Sequence, residues 1–188
     1  MRPTLIAVAG GPGTGTTTLC KLLAARLGAT HVYAGHVFRT IAAENGMDVV
    51  AFSKHAEGRP EVDHELDRRM IELAHGAAVV LDARLSAWHA AQAGIPALRV
   101  LLTVPPRVAA ERVAAREGRT DVDTVLAENA EREASEQRRY RDLYRFDPSD
   151  RSHYDLVLDT SELRPEEIAD RVIDRLETHR PGPLTSST

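Results

Sequence analysis

The sequence predicts an α/β fold built on a mainly parallel sheet, and three observations carry that expectation. Apolar runs of strand length alternate along the chain with runs of helical periodicity. The runs Thr4–Ala9, Ala77–Ala83 and Ala97–Val104 are apolar at nearly every position rather than every second one, which suits strands covered on both faces. A glycine-rich segment, "GGPGTG", joins the first run to a helical pattern. Such alternation implies right-handed crossovers, with helices on both sides of the sheet.

Taken in order, Thr4–Ala9 is a buried strand and Thr16–Leu27 a helix. His31–Ala34 reads as a short strand. Val37–Glu44, Val49–Glu57 and Val62–Ala74 read as helices, broken by Gly46 and by Gly58-Arg59-Pro60. Ala77–Ala83 is the next strand, then Ala97–Val104, which Pro105-Pro106 ends. Val108–Glu117 and the long, very polar Val122–Tyr144 are helical. Tyr154–Asp159 is the last strand, and Pro165–Thr178 the last helix, with Pro165 in its first turn. The whole is read as one domain over residues 1–179; the tail "RPGPLTSST" at 180–188 is expected to be disordered.

Bulk properties exclude several classes. A chain of 188 residues is long enough for one real core. A net charge of −4 does not favour nucleic acid, and the 4% of aromatic residues offer no base-stacking platform. The single cysteine, Cys20, excludes an internal disulfide framework and reads as helix packing. The eight histidines show no metal-ligand spacing. Neither a leader pattern nor an apolar run of membrane length is visible, so a cytoplasmic protein with no membrane partner is expected.

The glycine-rich segment is the main chemical signal. A loop between a buried strand and a helix offers backbone N–H groups and the helix N-terminus to phosphate. The pattern G-x-x-x-x-G-K-[ST] is met by Gly10, Gly15 and Thr17, but the lysine position holds Thr16. Gly10, Gly11, Pro12, Gly13, Thr14, Gly15, Thr16, Thr17 and Thr18 are therefore candidate ATP-phosphate contacts, and the Thr17 hydroxyl is the candidate Mg²⁺ ligand. Lys21 lies roughly 7 Å further along the helix, at ~1.5 Å per residue, and does not reach the loop mouth. The chain holds only two lysines against 22 arginines, so backbone amides, Mg²⁺ and incoming arginines must supply the missing charge.

Further stretches narrow the reading: "YAGHVFR", "AFSKHAEGRPEVDHELDRRM", "VVLDARLSAW", "ERVAAREG", "EREASEQRRYRDLYRFD" and "YDLVLDTS". In this order they resemble the archaeal-type (short) cytidylate kinases of the P-loop nucleoside monophosphate kinase family. Members carry "SAGEIFR", "EFSKYAE…IDREIDRR", "VVLEGRLAGW", "RIAKREG", "REESEKRRYKEIYGID" and "YDLVINTS". The likeness runs from Leu5 to Leu176. The loop form "GSGTTT" occurs in that family, which makes Thr16 a family variation. The resemblance implies a three-layer α/β/α P-loop NTPase fold with five parallel strands in the order 2-3-1-4-5. It implies a helical insert over residues 36–75 that holds the nucleoside monophosphate, and a lid over residues 117–145. It further implies Mg²⁺-dependent transfer from ATP to CMP or dCMP by a monomer.

Phosphoryl transfer between two anions needs positioning and positive charge more than covalent chemistry. Arg39 and Arg84 fall near the C-terminal ends of strands, where ligands sit in open α/β sheets, and are candidate grips for the acceptor phosphate. Asp82 is open between orienting Mg²⁺-bound water, pairing with Arg84 and capping the next turn. By resemblance, Gly35, Asp63, Asp67 and Arg68 contact the acceptor; the residues alone also read as a solvated helix face with i,i+4 charge pairs. Arg112 and Arg116 share a helix face before a hinge at Gly118, and the resemblance places them beside ATP. Arg132 and Arg139 share a face of the polar helix, which is either solvated or a lid whose arginines meet phosphate. Trp88 reads as packing. His36 stands where members carry an acid, and "DAR" replaces "EGR". These departures leave open another modified nucleotide or a small phosphorylated metabolite as acceptor. Thr16 leaves open an inactive nucleotide-binding scaffold, against which stand Thr17, Arg39, Arg84 and the arginine-rich lid.

Overall fold

The computed structural model describes residues 5–178; Thr4 and the tail at 180–188 lie outside the described residues. The elements are β1 (Leu5–Gly10), α1 (Thr16–Leu27), β2 (Thr30–Tyr33), α2 (Ala34–Glu44), α3 (Val49–Ala56), α4 (Pro60–Ala74), β3 (Val79–Asp82), α5 (Ser86–Ala93), β4 (Ala97–Thr103), α6 (Pro106–Glu117), α7 (Val122–Tyr144), β5 (Leu156–Asp159) and α8 (Pro165–Thr178). The five strands form one parallel sheet in the order β2-β3-β1-β4-β5, as the resemblance implied.

Both faces of the sheet are covered, which explains its unbroken apolar strands. Along β1, Leu5 and Ala7 point to one side, where Ile41, Phe52, Met70 and Ala90 close the core. Ile6 and Val8 point to the other, against Leu19 and Leu23 of α1 and Ile168 and Val172 of α8. The register places Val8 and Tyr33 opposite Asp82, and Gly10 opposite Leu102. The C-terminal ends of β1, β2 and β3 thus deliver Gly10, Tyr33 and Asp82 to a common edge.

Three expected helices, α1, α7 and α8, have the observed limits. The other boundaries shift for local reasons. Ala34, expected in β2, begins α2 instead. Pro60 and Pro106 start α4 and α6 two residues before the expected positions, because proline at the first turn surrenders no intrahelical bond. Helix α5 was not expected. "SAWHAAQA" spans only eight residues without a side-chain cap, and Ser86, Ala87, His89 and Ala90 are all buried, so its sequence has no polar stripe to mark it. Among the described residues, no helix is long and apolar enough to cross a membrane.

Helices α2 and α4 are tied on their outer face. Arg69 donates to Glu44 of α2 at 2.6 and 3.0 Å and to Glu65 at 2.7 Å, and Arg68 also donates to Glu65. Bonds from Arg68 and Arg69 hold the Glu65 carboxyl at about 2, below its ordinary 4.5. These pairs therefore stabilise the fold above pH 4.5, and the contribution is lost as pH falls towards about 2. In urea denaturation across that range, Glu65→Gln should show a shallower loss of stability than the parent chain. An unchanged slope would mean that the exposed pairs contribute nothing.

Candidate active site

The loop after β1 is built around backbone shape. Gly13 (φ 76°) and Gly15 (φ 93°) take left-handed conformations, and a Cβ on Gly13 would stand 2.5 Å from the Ala109 carbonyl oxygen. Thr14 is buried and its hydroxyl donates to Gly11 O at 2.8 Å, closing the turn. Helix α1 then starts with no side-chain cap, so its first amides remain available to an anion.

The loop is braced from the far side. Arg112 donates to Gly13 O, Thr160 Oγ1, Thr160 O and Ser161 O at 2.7–3.3 Å. The buried Thr160 hydroxyl donates to Thr14 O at 3.0 Å. Arg112, proposed to sit beside ATP, thus lines the cleft while its guanidinium holds the loop to the end of β5. Arg116 also lines the cleft and pairs with Glu117.

A cleft of ≈ 850 Å³ runs along the sheet edge. Its walls include the loop from Gly10 to Thr18, Tyr33, Gly35, Asp82, Arg84 and Arg132. Arg84 lies centrally: its Nη1 donates to Gly10 O at 2.9 Å and its Nε lies 3.0 Å from Glu136 Oε2. Glu136 Oε1 accepts from Arg132 Nε at 2.9 Å. One carboxylate of α7 therefore neutralises two arginines beside the phosphate loop. Arg39 is not part of the cleft wall itself but lies over the ring of Tyr33, which is, 5.7 Å from its centroid.

Thr17 and Asp82 share this wall, and a hydroxyl with a carboxylate is a hard-oxygen donor set that suits Mg²⁺. Asp82 does not pair with Arg84, one of the readings left open above. It is buried, and its Oδ2 lies 3.2 Å from His31 Nε2. The Lys21 side of α1 is exposed and Lys21 is absent from the cleft wall.

The remaining expected residues lie elsewhere. Arg68 is exposed and held by Glu65 and Glu72 of its own helix. Asp67 is buried, with His89 Nε2 at 2.8 Å from Oδ1 and the Tyr144 hydroxyl donating to Oδ2. Burial, then the bond to Asp67, pushes the Tyr144 phenol well up, so it remains a donor. Trp88 packs on Tyr144 at 4.7 Å between centroids, as expected for a packing residue. Arg139 faces Asp63 at 3.6 Å, away from the loop. Burial raises the Asp63 pKa, and Arg139 opposes that shift. Sequence reasoning missed Tyr33, Glu136 and Thr160. Only Glu136 left a signal, an acid four residues after Arg132 on a helix.

A phosphate loop, a five-stranded parallel sheet and a cleft lined by arginines together define a P-loop kinase. Solved structures with this fold include a shikimate kinase from Bacteroides thetaiotaomicron (TM-score 0.63, 18% identity, 92% of this chain and 98% of that one). A gluconokinase from Sinorhizobium meliloti is comparable (TM-score 0.62, 18% identity, 94% and 93%). At these identities the likeness concerns the fold alone. Residues 5–162 match the cytidylate kinase-like family, and the chain belongs to it. The cytidylate kinase of Methanocaldococcus jannaschii is 45% identical over 177 residues, covering 92% of this chain and 99% of that protein. That of Pyrococcus furiosus is 46% identical over 176 residues, covering 92% and 90%.

Because Glu136 pairs with both arginines, it competes with an incoming anion for their charge. A hydrogen bond to a charged group is worth about 1.5–3 kcal/mol, so Glu136→Gln should bind inorganic pyrophosphate about 10-fold or more tighter by calorimetry. Equal or weaker binding would show that Glu136 does not compete with phosphate.

Proposed function

We propose that the protein is a cytidylate kinase that transfers the terminal phosphoryl group of ATP to CMP or dCMP, giving ADP and CDP or dCDP. The observation that carries this is one cleft whose wall holds the phosphate loop, Gly35 and Arg84, the last bonded to Gly10 O. The family membership and the curated relatives, each a cytidylate kinase, support the pyrimidine acceptor.

The loop amides and the start of α1 hold the donor phosphates. Thr17 and Asp82 would hold Mg²⁺, which when bound neutralises phosphate charge and orients the donor. An oxygen of the acceptor phosphate attacks the terminal phosphorus, the bond to the bridging oxygen breaks, and its electron pair stays on ADP. Arg84 and Arg132 release Glu136 and place their charges on the moving group, in the role of the absent loop lysine. Arg39 grips the acceptor phosphate from its seat over Tyr33. Residues 117–145 form the lid; the left-handed Gly118 (φ 66°) at the end of α6 and the polar surface of α7 support this. The insert at 36–75 holds the acceptor; the buried Asp67, bonded to His89 and Tyr144, and Asp63, facing Arg139, brace it, whereas Arg68 is taken up by Glu65 and Glu72.

Steady-state ADP formation with Mg·ATP against CMP, dCMP, UMP, AMP and GMP tests the proposal. Turnover led by CMP or dCMP is expected; turnover led by another acceptor, or none, would refute it. Arg84→Ala should lower kcat by ~10²-fold or more with the fold intact. Unchanged kinetics would remove Arg84 from the transfer site.

A further inference from the structure

Behind the phosphate loop, three metal-ligating side chains of different kinds converge from elements distant in sequence. Cys20 lies on α1, His31 on β2 and Asp82 at the end of β3. Their ligand atoms all lie within 4.8 Å of one another, and His31 Nε2 is already 3.2 Å from Asp82 Oδ2. Cys20 is fully buried, and its sulfur makes no hydrogen bond among the described residues. The packing of α1 on the sheet requires a small apolar side chain here, which does not itself call for sulfur facing an imidazole and a carboxylate.

We propose that Cys20, His31 and Asp82 form a binding site for a borderline-soft divalent cation of the zinc class, distinct from the Mg²⁺ position, and that its occupation inhibits the enzyme. Thiolate, imidazole and carboxylate form a zinc-type donor set, whereas Mg²⁺ takes oxygen ligands. Metal–ligand bonds of about 2.0–2.3 Å in a tetrahedron put ligand atoms about 3.5 Å apart, so the three side chains need to close by roughly an ångström. Asp82 also lines the cleft, which gives a water access to the fourth position. On binding, the thiol proton leaves to solvent and the sulfur takes the metal; no electron moves. Asp82 is then held towards Cys20 and withdrawn from the Mg²⁺ side. This inhibitory half rests on the kinase reading, and the binding half does not.

The test uses the full chain, stripped of metal with a chelator and free of nucleotide, titrated with Co²⁺. One equivalent should produce the near-ultraviolet thiolate-to-cobalt charge-transfer band, and Zn²⁺ should abolish it by displacement. Cys20→Ser keeps the side-chain size and should lose the band while still unfolding in one cooperative transition, at a lower temperature because of its buried hydroxyl, and retaining its Mg·ATP turnover. His31→Gln should keep the band but weaken Co²⁺ binding about 10-fold or more. In turnover assays at buffered free Zn²⁺, the parent chain should be inhibited at concentrations that leave Cys20→Ser active. No band at stoichiometric Co²⁺, or the same band in Cys20→Ser, would overturn the site. Equal Zn²⁺ inhibition of both proteins would overturn the inhibitory role. The cobalt spectrum is read without turnover, so an error in the kinase reading leaves it interpretable.

Discussion

A phosphate loop without a lysine sets the terms for the rest of this molecule. The loop must hold several negative charges, yet its own side chains from Gly10 to Thr18 carry none that is positive. Oriented amides at the start of α1 supply partial charge, but full charges must come from elsewhere. The sheet order solves this by placing the end of β3 beside β1, so that Arg84 reaches Gly10 from the neighbouring connection. Arginine suits the task because its planar fork can satisfy a backbone carbonyl and still face an anion. The same crowding of cations explains Glu136. Without nucleotide, Arg84 and Arg132 would face each other across the cleft, and one carboxylate removes that repulsion.

Helix α7 serves two ends of the site. At its middle, Arg132 and Glu136 meet the loop region. At its C-terminal end, Tyr144 bonds to Asp67 of α4 and packs on Trp88 of α5, and Arg139 faces Asp63. The buried Asp67 is satisfied from two elements, His89 of α5 and Tyr144 of α7, so loss of either partner would leave a carboxylate poorly solvated. One helix thus touches both the phosphate loop region and α4.

Much of the architecture was legible because the signals were local. Helix α1 lies between Gly15 and Gly28, α7 begins after the Asp121 cap and α8 begins at Pro165, and each had its expected limits. Helix α5 was not legible, because a short buried helix rich in alanine shows no periodic contrast between its faces. The site divides in the same way. The loop glycines and Arg84, which the sequence placed at a strand end, do line the cleft, whereas Arg39 reaches only the Tyr33 ring. Asp67 could not be separated from its charged neighbours, because its partners lie 22 and 77 residues away. Arg112 was placed at ATP, while three of its four bonds go to Thr160 and Ser161 of the β5–α8 connection. Cys20, His31 and Asp82 have no recognisable spacing; only the parallel pairing of β2 with β3, together with α1, brings them together.

The central claim is that arginines from outside the loop replace its lysine. The most direct measurement is a crystal structure of the complex with a bisubstrate analogue in which a polyphosphate chain joins adenosine to cytidine. The account predicts that the chain runs from the loop to Gly35, that Arg84 and Arg132 hydrogen-bond its central phosphates, and that Glu136 has left both. An analogue bound with the Arg84–Glu136 pair intact, and with no arginine on the central phosphates, would contradict it.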